Sequence, residues 1–418
     1  MTISSQHKQV STGYKILITG GRAPVALELA RLLKQSGHRV FVAESVAYHL
    51  CRVSAAVEQS FQVPPPRQQP EAYLQELERL ILQFQMDILI PTCEEIFYIA
   101  RGLERLGSHC RVLCSERAML RRLHHKGDFI AWAKELGLAV PETVLVTERE
   151  EWRRLLEDDV RIKGIVVLKP AYSRFAAQAI VPRKTGSAGH TNPVQGQNRY
   201  RDVYPEVSAV SPWVAQQYIQ GTAICTYSVV HEGTVVAHAA YGSVYRTGNV
   251  GASVHFESLE HPRVLEWVRR FAEGTGFSGQ IGFDFIEDSQ GTLYPIECNP
   301  RATSGIHLFA PADGLERALL DPEQLVRSGG VIRPQSGRKV MLTLPMLACG
   351  LRRNRNFGAW KAWGKALREA EDAVCRKEDR RPFAEQLRVV YAAFRTSRQN
   401  KISITEALTD DIEWNGES

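Results

Sequence analysis

Residues Gly279 to His307 read GQIGFDFIEDSQGTLYPIECNPRATSGIH, and this segment is the most informative part of the chain. Apolar residues alternate with other residues in two runs, Ile281 to Ile286 and Thr292 to Cys298. A polar segment that contains a glycine, Glu287 to Gly291, separates the two runs. This order predicts a β-hairpin.

The predicted hairpin carries two acids on facing strands. Pairing the strands brings Asp284 and Glu297 together, and Asn299 lies two residues further on the same face. Facing like charges are unfavourable unless a cation lies between them, and two carboxylates with an amide suit Mg²⁺. The alternative is a surface hairpin with solvated acids, in which Asn-Pro marks a turn.

This segment resembles the closing hairpin of the ATP-grasp superfamily, in which an acid is followed by the motif Glu-x-Asn-x-Arg, here Glu297 to Arg301. The resemblance is to carboxylate–amine or thiol ligases with a core similar to those of biotin carboxylase and carbamoyl phosphate synthetase. It implies that Asp284, Glu297 and Asn299 bind Mg²⁺ or Mn²⁺ together with ATP. It also implies that Arg301 stabilises charge on an acyl phosphate.

Composition indicates an ordinary globular protein of more than one domain. The 418 residues carry a formal charge of +6, but 52 basic and 46 acidic residues are interspersed, so we expect no nucleic-acid partner. Eight cysteines without a Cys-x-x-Cys pattern favour reduced, buried thiols rather than zinc ligands. The polar start lacks the apolar core of a signal peptide and the longest apolar run, Val340 to Leu351, is too short for a membrane span, so we expect a cytoplasmic location.

The N-terminal part alternates strands and helices. A strand ending at Gly20-Gly21 precedes a helical pattern from Ala23 to Gln35 and a second strand, Arg39 to Glu44. The alternation recurs up to Cys114, which predicts a doubly wound parallel sheet over residues 1–115. The glycine turn lacks Gly-x-Gly-x-x-Gly, so a dinucleotide site is not expected.

Two acids, Glu94 and Glu95, follow the strand Asp87 to Pro91. They occupy the carboxyl edge at which such sheets bind ligands. They also occupy the first turn of a predicted helix, Glu94 to Leu106, where the macrodipole favours acids without any ligand. Both interpretations remain open.

Two lysines take nucleotide-phosphate roles through the resemblance. Lys126 lies within a basic helical segment, Glu116 to Leu138, where a lysine by itself is usually solvated. Lys169 ends a continuous apolar strand, and a lysine there requires an anion. The resemblance implies that both lysines bind ATP, that Lys169 also assists catalysis, and that Ser173 contacts phosphate from a glycine-free covering loop.

The resemblance places the nucleotide hinge at Gln216, Gln217, Tyr218 and Ile219. Their backbone would pair with the adenine edge, while Tyr218 and Ile219 flank the ring. Relatives commonly carry Glu at the hinge start and again after the glycine. Here Gln216 and Ala223 take those positions, so the ribose contact is not identified.

Substrate contacts are assigned by position alone. Arg246 follows a predicted hairpin where relatives often contact the carboxylate substrate, although a surface arginine fits equally well. Ser304 and Gly305 form a loop next to the metal hairpin, where an acyl intermediate would lie. His307 is an alternative acid or base, although a single histidine is more often structural.

The predicted fold class is α/β and α+β. Residues 1–115 form a Rossmann-like domain that precedes the ATP-grasp core, and residues 116–330 form that two-lobed core with antiparallel sheets, its small mobile lobe spanning about 164–215. Residues 331–418 form a basic, mainly helical extension. Packing on the core is its default role, with membrane-surface or partner contact as alternatives.

The resemblance implies an ATP-dependent ligase that activates a small carboxylate as an acyl phosphate and joins it to an amine, with release of ADP and phosphate. One alternative is a carboxylase-like enzyme that activates bicarbonate. Another is a non-catalytic ATP-binding regulatory or scaffold protein. The family also suggests a homodimer.

Overall fold

The computed structural model describes residues 13–158, 166–172, 179–180, 207–246, 252–353 and 357–416. Within these ranges the strands form three sheets. One is parallel and lies at the N-terminus, and the other two are largely antiparallel. This combination confirms the predicted fold class.

The N-terminal sheet has the strand order β3-β2-β1-β4-β5 and is parallel throughout. Its central strand is a continuous apolar run, which is typical of strands that are covered on both faces. The order reverses between β1 and β4, so a crevice opens there at the carboxyl edge. The strands are β1 (Lys15–Thr19), β2 (Arg39–Glu44), β3 (Gln59–Gln62), β4 (Ile88–Ile90) and β5 (Arg111–Val112).

Helices cover this sheet and connect its strands. Helix α1 begins with Pro24, whose fixed φ suits the first helical position, and it buries Leu29 and Leu33 completely. The predicted helix from Glu94 to Leu106 is instead broken by a 3-10 turn, Ala100–Gly102. The helices of this part are α1 (Pro24–Gln35), α2 (Pro70–Phe84), α3 (Ile96–Ile99) and α4 (Leu103–Gly107), with a 3-10 helix at Leu50–Val53.

The predicted helix from Glu116 to Leu138 is two helices, α5 (Arg117–His124) and α6 (Lys126–Glu135). His125 separates them because its extended backbone cannot continue a helix. The His125 Nδ1 atom accepts a hydrogen bond from the Asp128 N–H at 3.0 Å and so caps α6. The break makes Lys126 the first residue of α6.

A small antiparallel sheet follows, with the order β6-β8-β7. Helix α7 packs on it through Trp152, whose ring lies 5.4 Å from that of Trp213. These residues share a small core with Val146, Leu168 and Ala215. The elements are β6 (Thr143–Val146), α7 (Arg149–Asp158), β7 (Val166–Pro170) and β8 (Trp213–Gln217).

The large sheet has the order β13-β12-β9-β10-β11-β14-β15. Glu232 and Gly233 both have positive φ in the tight turn between β9 and β10, which confirms the hairpin predicted before Arg246, with strands Ala223–Val230 and Thr234–Tyr241. Helix α8 packs on the sheet through Trp267 and Phe271. The elements are β9 (Thr222–His231), β10 (Thr234–Gly242), β11 (His255–Leu259), α8 (Pro262–Thr275), β12 (Gly279–Glu287), β13 (Leu293–Asn299), β14 (Lys339–Met341) and β15 (Glu371–Asp372).

The remaining segments carry the chain into the C-terminal extension. They comprise 3-10 helices Ser304–Leu308 and Pro311–Asp313 and helices α9 (Leu315–Leu320), α10 (Pro322–Ser328), α11 (Thr343–Arg353), α12 (Phe357–Glu369), α13 (Arg381–Asn400) and α14 (Ile404–Ala407). None of the helices in the described ranges is long and apolar enough to cross a membrane.

The extension packs on the rest of the chain, as its default interpretation predicts. Strand β14 pairs with β11, and the buried Arg31 of α1 forms a 2.9 Å ion pair with Asp379. Glu28, also on α1, accepts a 2.6 Å hydrogen bond from Arg376. Charged groups that are buried in this way are stable only when paired, so these contacts fix the extension against α1.

Candidate active site

The hairpin formed by β12 and β13 places the two acids opposite each other. Asp284 pairs in register with Glu297, and Asn299 pairs with Gly282, so the predicted strand pairing is confirmed. The register shifts between Asp284 and Phe285, which marks a bulge immediately after the first acid. Bulges next to sites re-aim side chains, and this one lies where the two carboxylates meet.

The surroundings of the two acids suit a divalent cation. Burial first, and then the facing Glu297, raises the pKa of Asp284, while Arg246 and Arg301 act in the opposite direction. A bound cation would relieve this repulsion. The donors are two carboxylates and the Asn299 amide, which is an oxygen set suited to Mg²⁺ or Mn²⁺.

Lys126 lies next to these acids, buried rather than solvated. Its side chain is 1% exposed, and its Nζ atom is 3.6 Å from Glu297 Oε1. Its backbone N–H donates to the Ala171 carbonyl at 3.0 Å, which attaches the start of α6 to the end of β7. The first turn of α6 therefore presents the Lys126 ammonium to the β12–β13 hairpin.

Lys169 reaches the same place from the small sheet. Its buried Nζ donates 2.9 Å hydrogen bonds to Gln216 Oε1 and to the Ile296 carbonyl, which immediately precedes Glu297. Burial first, and then the nearby charge of Lys126, lowers the pKa of Lys169 to about 7, against the opposing effect of Glu297 and Asp284. An anion bound next to Lys169, in addition to Glu297 and Asp284, would therefore favour its charged form.

The predicted hinge lies at the end of β8. Gln216 is buried, and its side-chain amide donates to Thr143 Oγ1 at 3.2 Å. The Gln217 N–H donates to the Glu142 carbonyl at 2.8 Å, so the chain leaves the sheet at Tyr218, which is 37% exposed. The adenine roles of Gln216, Gln217, Tyr218 and Ile219 remain predictions. Ser173 lies outside the described residues.

The two acids that follow β4, Glu94 and Glu95, have different partners in the structure. Glu95 caps its own loop, since it accepts hydrogen bonds from the Thr92 and Cys93 N–H groups, both at 3.0 Å. Glu94 is buried with an oxygen 3.5 Å from the Arg301 guanidinium, which also donates to Asn299 Oδ1 at 3.1 Å. Glu94 therefore links the carboxyl edge of the parallel sheet, through Arg301, to the β12–β13 hairpin.

The remaining predicted residues lie around the same hairpin. Arg246 donates to Ser243 Oγ at 2.6 Å, and its charge acts on Asp284. Ser304 and Gly305 begin a 3-10 helix, in which Gly305 is required because a Cβ atom would lie 2.6 Å from Tyr227 Cβ. The substrate roles of Arg246, Ser304 and Gly305 remain predictions.

His307 is fully buried, and its Nδ1 atom lies 3.2 Å from Glu28 Oε2. Its ring stacks on Phe256 with centroids 5.7 Å apart. This environment is that of a structural histidine, the more frequent interpretation of a single histidine. Its substrate role remains a prediction.

Sequence reasoning missed the contribution of the C-terminal segment. Trp414 is 3% exposed, and its ring lies 4.5 Å from Phe97 and 5.2 Å from Tyr172. Tyr172 is the last described residue before Ser173 in the sequence, so this tryptophan contacts the described end of the segment that leads into the predicted phosphate-covering loop. A single tryptophan in a polar tail carries no local signal of such a position.

No protein-family model and no curated protein matches the sequence. Solved structures do match. The L-amino acid ligase from Bacillus licheniformis has a TM-score of 0.56 and 16% identity over 78% of this chain and 79% of that chain. N5-carboxyaminoimidazole synthetase from Staphylococcus aureus complexed with ADP has a TM-score of 0.53 and 16% identity, covering 73% of this chain and 77% of that chain.

A third match is the biotin carboxylase domain of the Hydrogenobacter thermophilus 2-oxoglutarate carboxylase, in complex with MgADP and bicarbonate. Its TM-score is 0.51 with 15% identity over 70% of this chain and 65% of that chain. All three are ATP-grasp enzymes. The sheet architecture and these matches show that the chain has the ATP-grasp fold.

Proposed function

We propose that this protein is an ATP-dependent ligase that activates a small carboxylate as an acyl phosphate and couples it to an amine. One observation carries the proposal. Two lysines from different elements, Lys126 of α6 and Lys169 of β7, are buried beside the opposed carboxylates Asp284 and Glu297. Such a cluster of cations and acids suits a polyphosphate with its divalent cation, since each sign of charge finds its counterpart.

Asp284, Glu297 and Asn299 would hold Mg²⁺ or Mn²⁺. The raised pKa of Asp284 and the all-oxygen donors support this assignment. The cation would neutralise phosphate charge and orient the transferred group. The MgADP bound to the carboxylase neighbour belongs to that protein, but it is consistent with a similar role here.

The side chains of this chain then have distinct tasks. Lys126 and Lys169 bind the phosphate oxygens, with Ser173 as a further contact. The segment from Gln216 to Ile219 binds adenine. Arg301, held near Glu94 and Asn299, stabilises negative charge on the acyl phosphate and on the tetrahedral species that follows.

The chemistry requires little covalent participation by the protein. A carboxylate is a poor electrophile because its charge is delocalised. Transfer of the γ-phosphoryl group from ATP to the carboxylate oxygen releases ADP and forms an acyl phosphate. The amine lone pair then attacks the carbonyl carbon, the C–N bond forms, the amine loses a proton, and phosphate departs. Burial beside fixed cations favours both steps.

The organisation of the chain follows the same proposal. Residues 1–115 and 116–330 form the preceding domain and the two-lobed core, with a mobile lobe at about 164–215, and residues 331–418 form the extension. The substrates are small molecules. A cytoplasmic location and a homodimer complete the proposal.

The decisive experiment measures release of ADP and phosphate by the purified protein with Mg²⁺ and ATP. Amino acids, other carboxylates and bicarbonate are tested as substrates, each with and without amines, and Glu297→Gln serves as the inactive variant. Stimulation by a carboxylate and an amine supports the ligase. Stimulation by bicarbonate alone supports a carboxylase-like enzyme, and nucleotide binding without any stimulation supports a regulatory protein.

The matched control is Glu287→Gln on the same hairpin. Glu287 pairs with Arg263 at 2.6 Å and is the last residue of β12, beyond the position where Asp284 faces Glu297, so its loss should leave turnover intact. Equal loss of activity in Glu287→Gln and Glu297→Gln would point to damage of the hairpin rather than to loss of a metal ligand.

A further inference from the structure

The C-terminal segment from Leu408 to Trp414 crosses the carboxyl edge of the N-terminal sheet. Asp411 binds Arg22, in the loop after β1, through both carboxylate oxygens at 2.5 and 2.7 Å. The Leu408 carbonyl accepts from the same guanidinium at 3.0 Å. Folds with parallel sheets bind ligands at the carboxyl edge of the sheet, so this segment lies at a position where a substrate could bind.

Among the described residues, the arginine of the β1–β2 half of the edge, Arg22, is already held in ion pairs with acids. Arg22 also contacts Glu44 at the end of β2, at 2.5 Å. Despite its burial, Glu44 has its pKa lowered to about 2 by Arg22. One guanidinium thus serves two carboxylates, Glu44 and Asp411, and a further anion would meet net negative charge.

The end of the segment, Glu413 and Trp414, contacts α3 and Tyr172, next to the proposed phosphate-binding lysines. The Tyr98 hydroxyl donates to the Glu413 carbonyl at 2.8 Å, and Trp414 stacks on Phe97. The same indole meets the Tyr172 ring edge-on, next to the Ala171 carbonyl that holds Lys126. Segment 408–414 therefore forms a wall that runs from β2 to the neighbourhood of the phosphate site.

The crevice between β1 and β4, where Glu94 faces Arg301, is the part of the edge that adjoins the metal hairpin. We infer that segment 408–414 limits the size of the amine substrate, so that only small amines fit in this crevice. Asp411 and Trp414 are its specificity-determining residues. This inference rests on the proposed ligase function.

The test measures binding of amines to protein saturated with MgADP, by calorimetry. Ammonium and methylamine are the small probes, and phenethylamine and tryptamine are the bulky ones, so that no probe carries a carboxylate. Asp411→Ala and Trp414→Ala should each lower the dissociation constants of the bulky probes by about tenfold or more, with those of the small probes unchanged within about twofold. Trp414→Phe should keep the wild-type discrimination because it retains an aromatic contact with Phe97.

Two matched variants serve as controls. Asp410→Ala removes the neighbouring acid, which pairs with Arg67 at 3.5 Å, and Trp360→Ala removes a tryptophan that is 40% exposed on α12. Neither substitution should change the ratio of the dissociation constants of the bulky and the small probes. Circular dichroism and MgADP affinity confirm that each variant is folded.

Bulky probes that bind the folded Asp411→Ala and Trp414→Ala variants no better than the wild type would overturn the inference. Binding of bulky probes to the wild type as tight as that of small ones would do so as well. A wild-type protein that never releases ADP would instead refute the ligase activity, and the binding comparison would still decide the role of the segment.

Discussion

Replacing Lys169 by Met should separate nucleotide binding from stability. The structure places this ammonium in a buried position where its charge is unfavourable, since burial and Lys126 lower its pKa from 10.5 to about 7. Each pKa unit corresponds to about 1.4 kcal/mol. Keeping Lys169 charged near neutral pH therefore costs on the order of 5 kcal/mol relative to the unfolded chain.

Methionine removes that cost but also removes two hydrogen bonds. Gln216 Oε1 and the Ile296 carbonyl each lose a donor at 2.9 Å, and a buried unsatisfied acceptor costs about 1–3 kcal/mol. The net change in the free energy of unfolding of Lys169→Met is then between about +3 and −1 kcal/mol near pH 7. The nucleotide-free variant should therefore lie between about 1 kcal/mol less stable and about 3 kcal/mol more stable than the wild type, whereas stabilisation by MgADP should be lost.

The pH dependence gives the sharper test. Between pH 7 and about 10 the unfolded chain holds a proton on Lys169 that the folded chain has released, so wild-type stability rises with pH. Lys169→Met lacks this contribution. Urea unfolding at pH 6, 7, 8 and 9 should show the wild type gaining on the variant by up to about 1.4 kcal/mol per pH unit above pH 7, and little below it.

Lys134→Met is the control, since Lys134 is exposed on α6 and should affect neither the pH slope nor nucleotide binding. Parallel stability curves for the wild type and Lys169→Met would refute a depressed pKa at Lys169. A nucleotide-free variant destabilised by well over about 1 kcal/mol would refute the conclusion that the lysine charge is held at a cost.

Three further substitutions test other parts of the site. Arg301→Lys keeps the charge but alters its geometry, and it should lower substrate-stimulated ADP release by roughly 10²- to 10³-fold in steady-state assays. Asp284→Asn removes one of the facing carboxylates, so the Mg²⁺ concentration needed for nucleotide binding should rise by at least about tenfold in titrations. Gly305→Ala places a Cβ atom 2.6 Å from Tyr227 Cβ, and it should lower the free energy of unfolding by about 1–3 kcal/mol in urea titrations.

Each of these substitutions has a contrary outcome. Full activity in Arg301→Lys would refute a role of Arg301 that depends on the geometry of its guanidinium group. Unchanged Mg²⁺ dependence in Asp284→Asn would exclude Asp284 as a ligand. Wild-type stability in Gly305→Ala would show that the Tyr227 side of the 3-10 helix can move. Gly364→Ala is a matched control for the last, since a Cβ atom there meets nothing within 4 Å.

The hairpin was predictable because its signals are local. Alternation fixes which residues share a face, so the facing of Asp284 and Glu297 follows from the sequence and the turn. The bulge after Asp284 has no such signal. The break at His125 was missed because the helical pattern of the sequence continues across it. The hydrogen bond from the Asp128 N–H to His125, which caps α6, depends on backbone geometry that the sequence pattern does not show.

Contacts distant in sequence were beyond prediction from a single chain. The family resemblance named Lys126 and Lys169, but their burial beside Glu297 depends on the pairing of β7 with β8 and on the Ala171 carbonyl. Asp411 and Arg22 are 389 residues apart, and nothing in either segment indicates the other. Such pairs follow from the tertiary arrangement and not from local propensity.

The buried Glu28 joins three distant parts of the chain, because it contacts His307 at 3.2 Å and Arg376 at 2.6 Å. An ion pair at this depth is unstable when one member is missing. A fragment that ended before Arg376 would leave a buried acid without its strongest cation. The segments around Glu28 and His307 should therefore reach their final stability during synthesis only after Arg376 has left the ribosome, and all three segments should unfold in one cooperative transition.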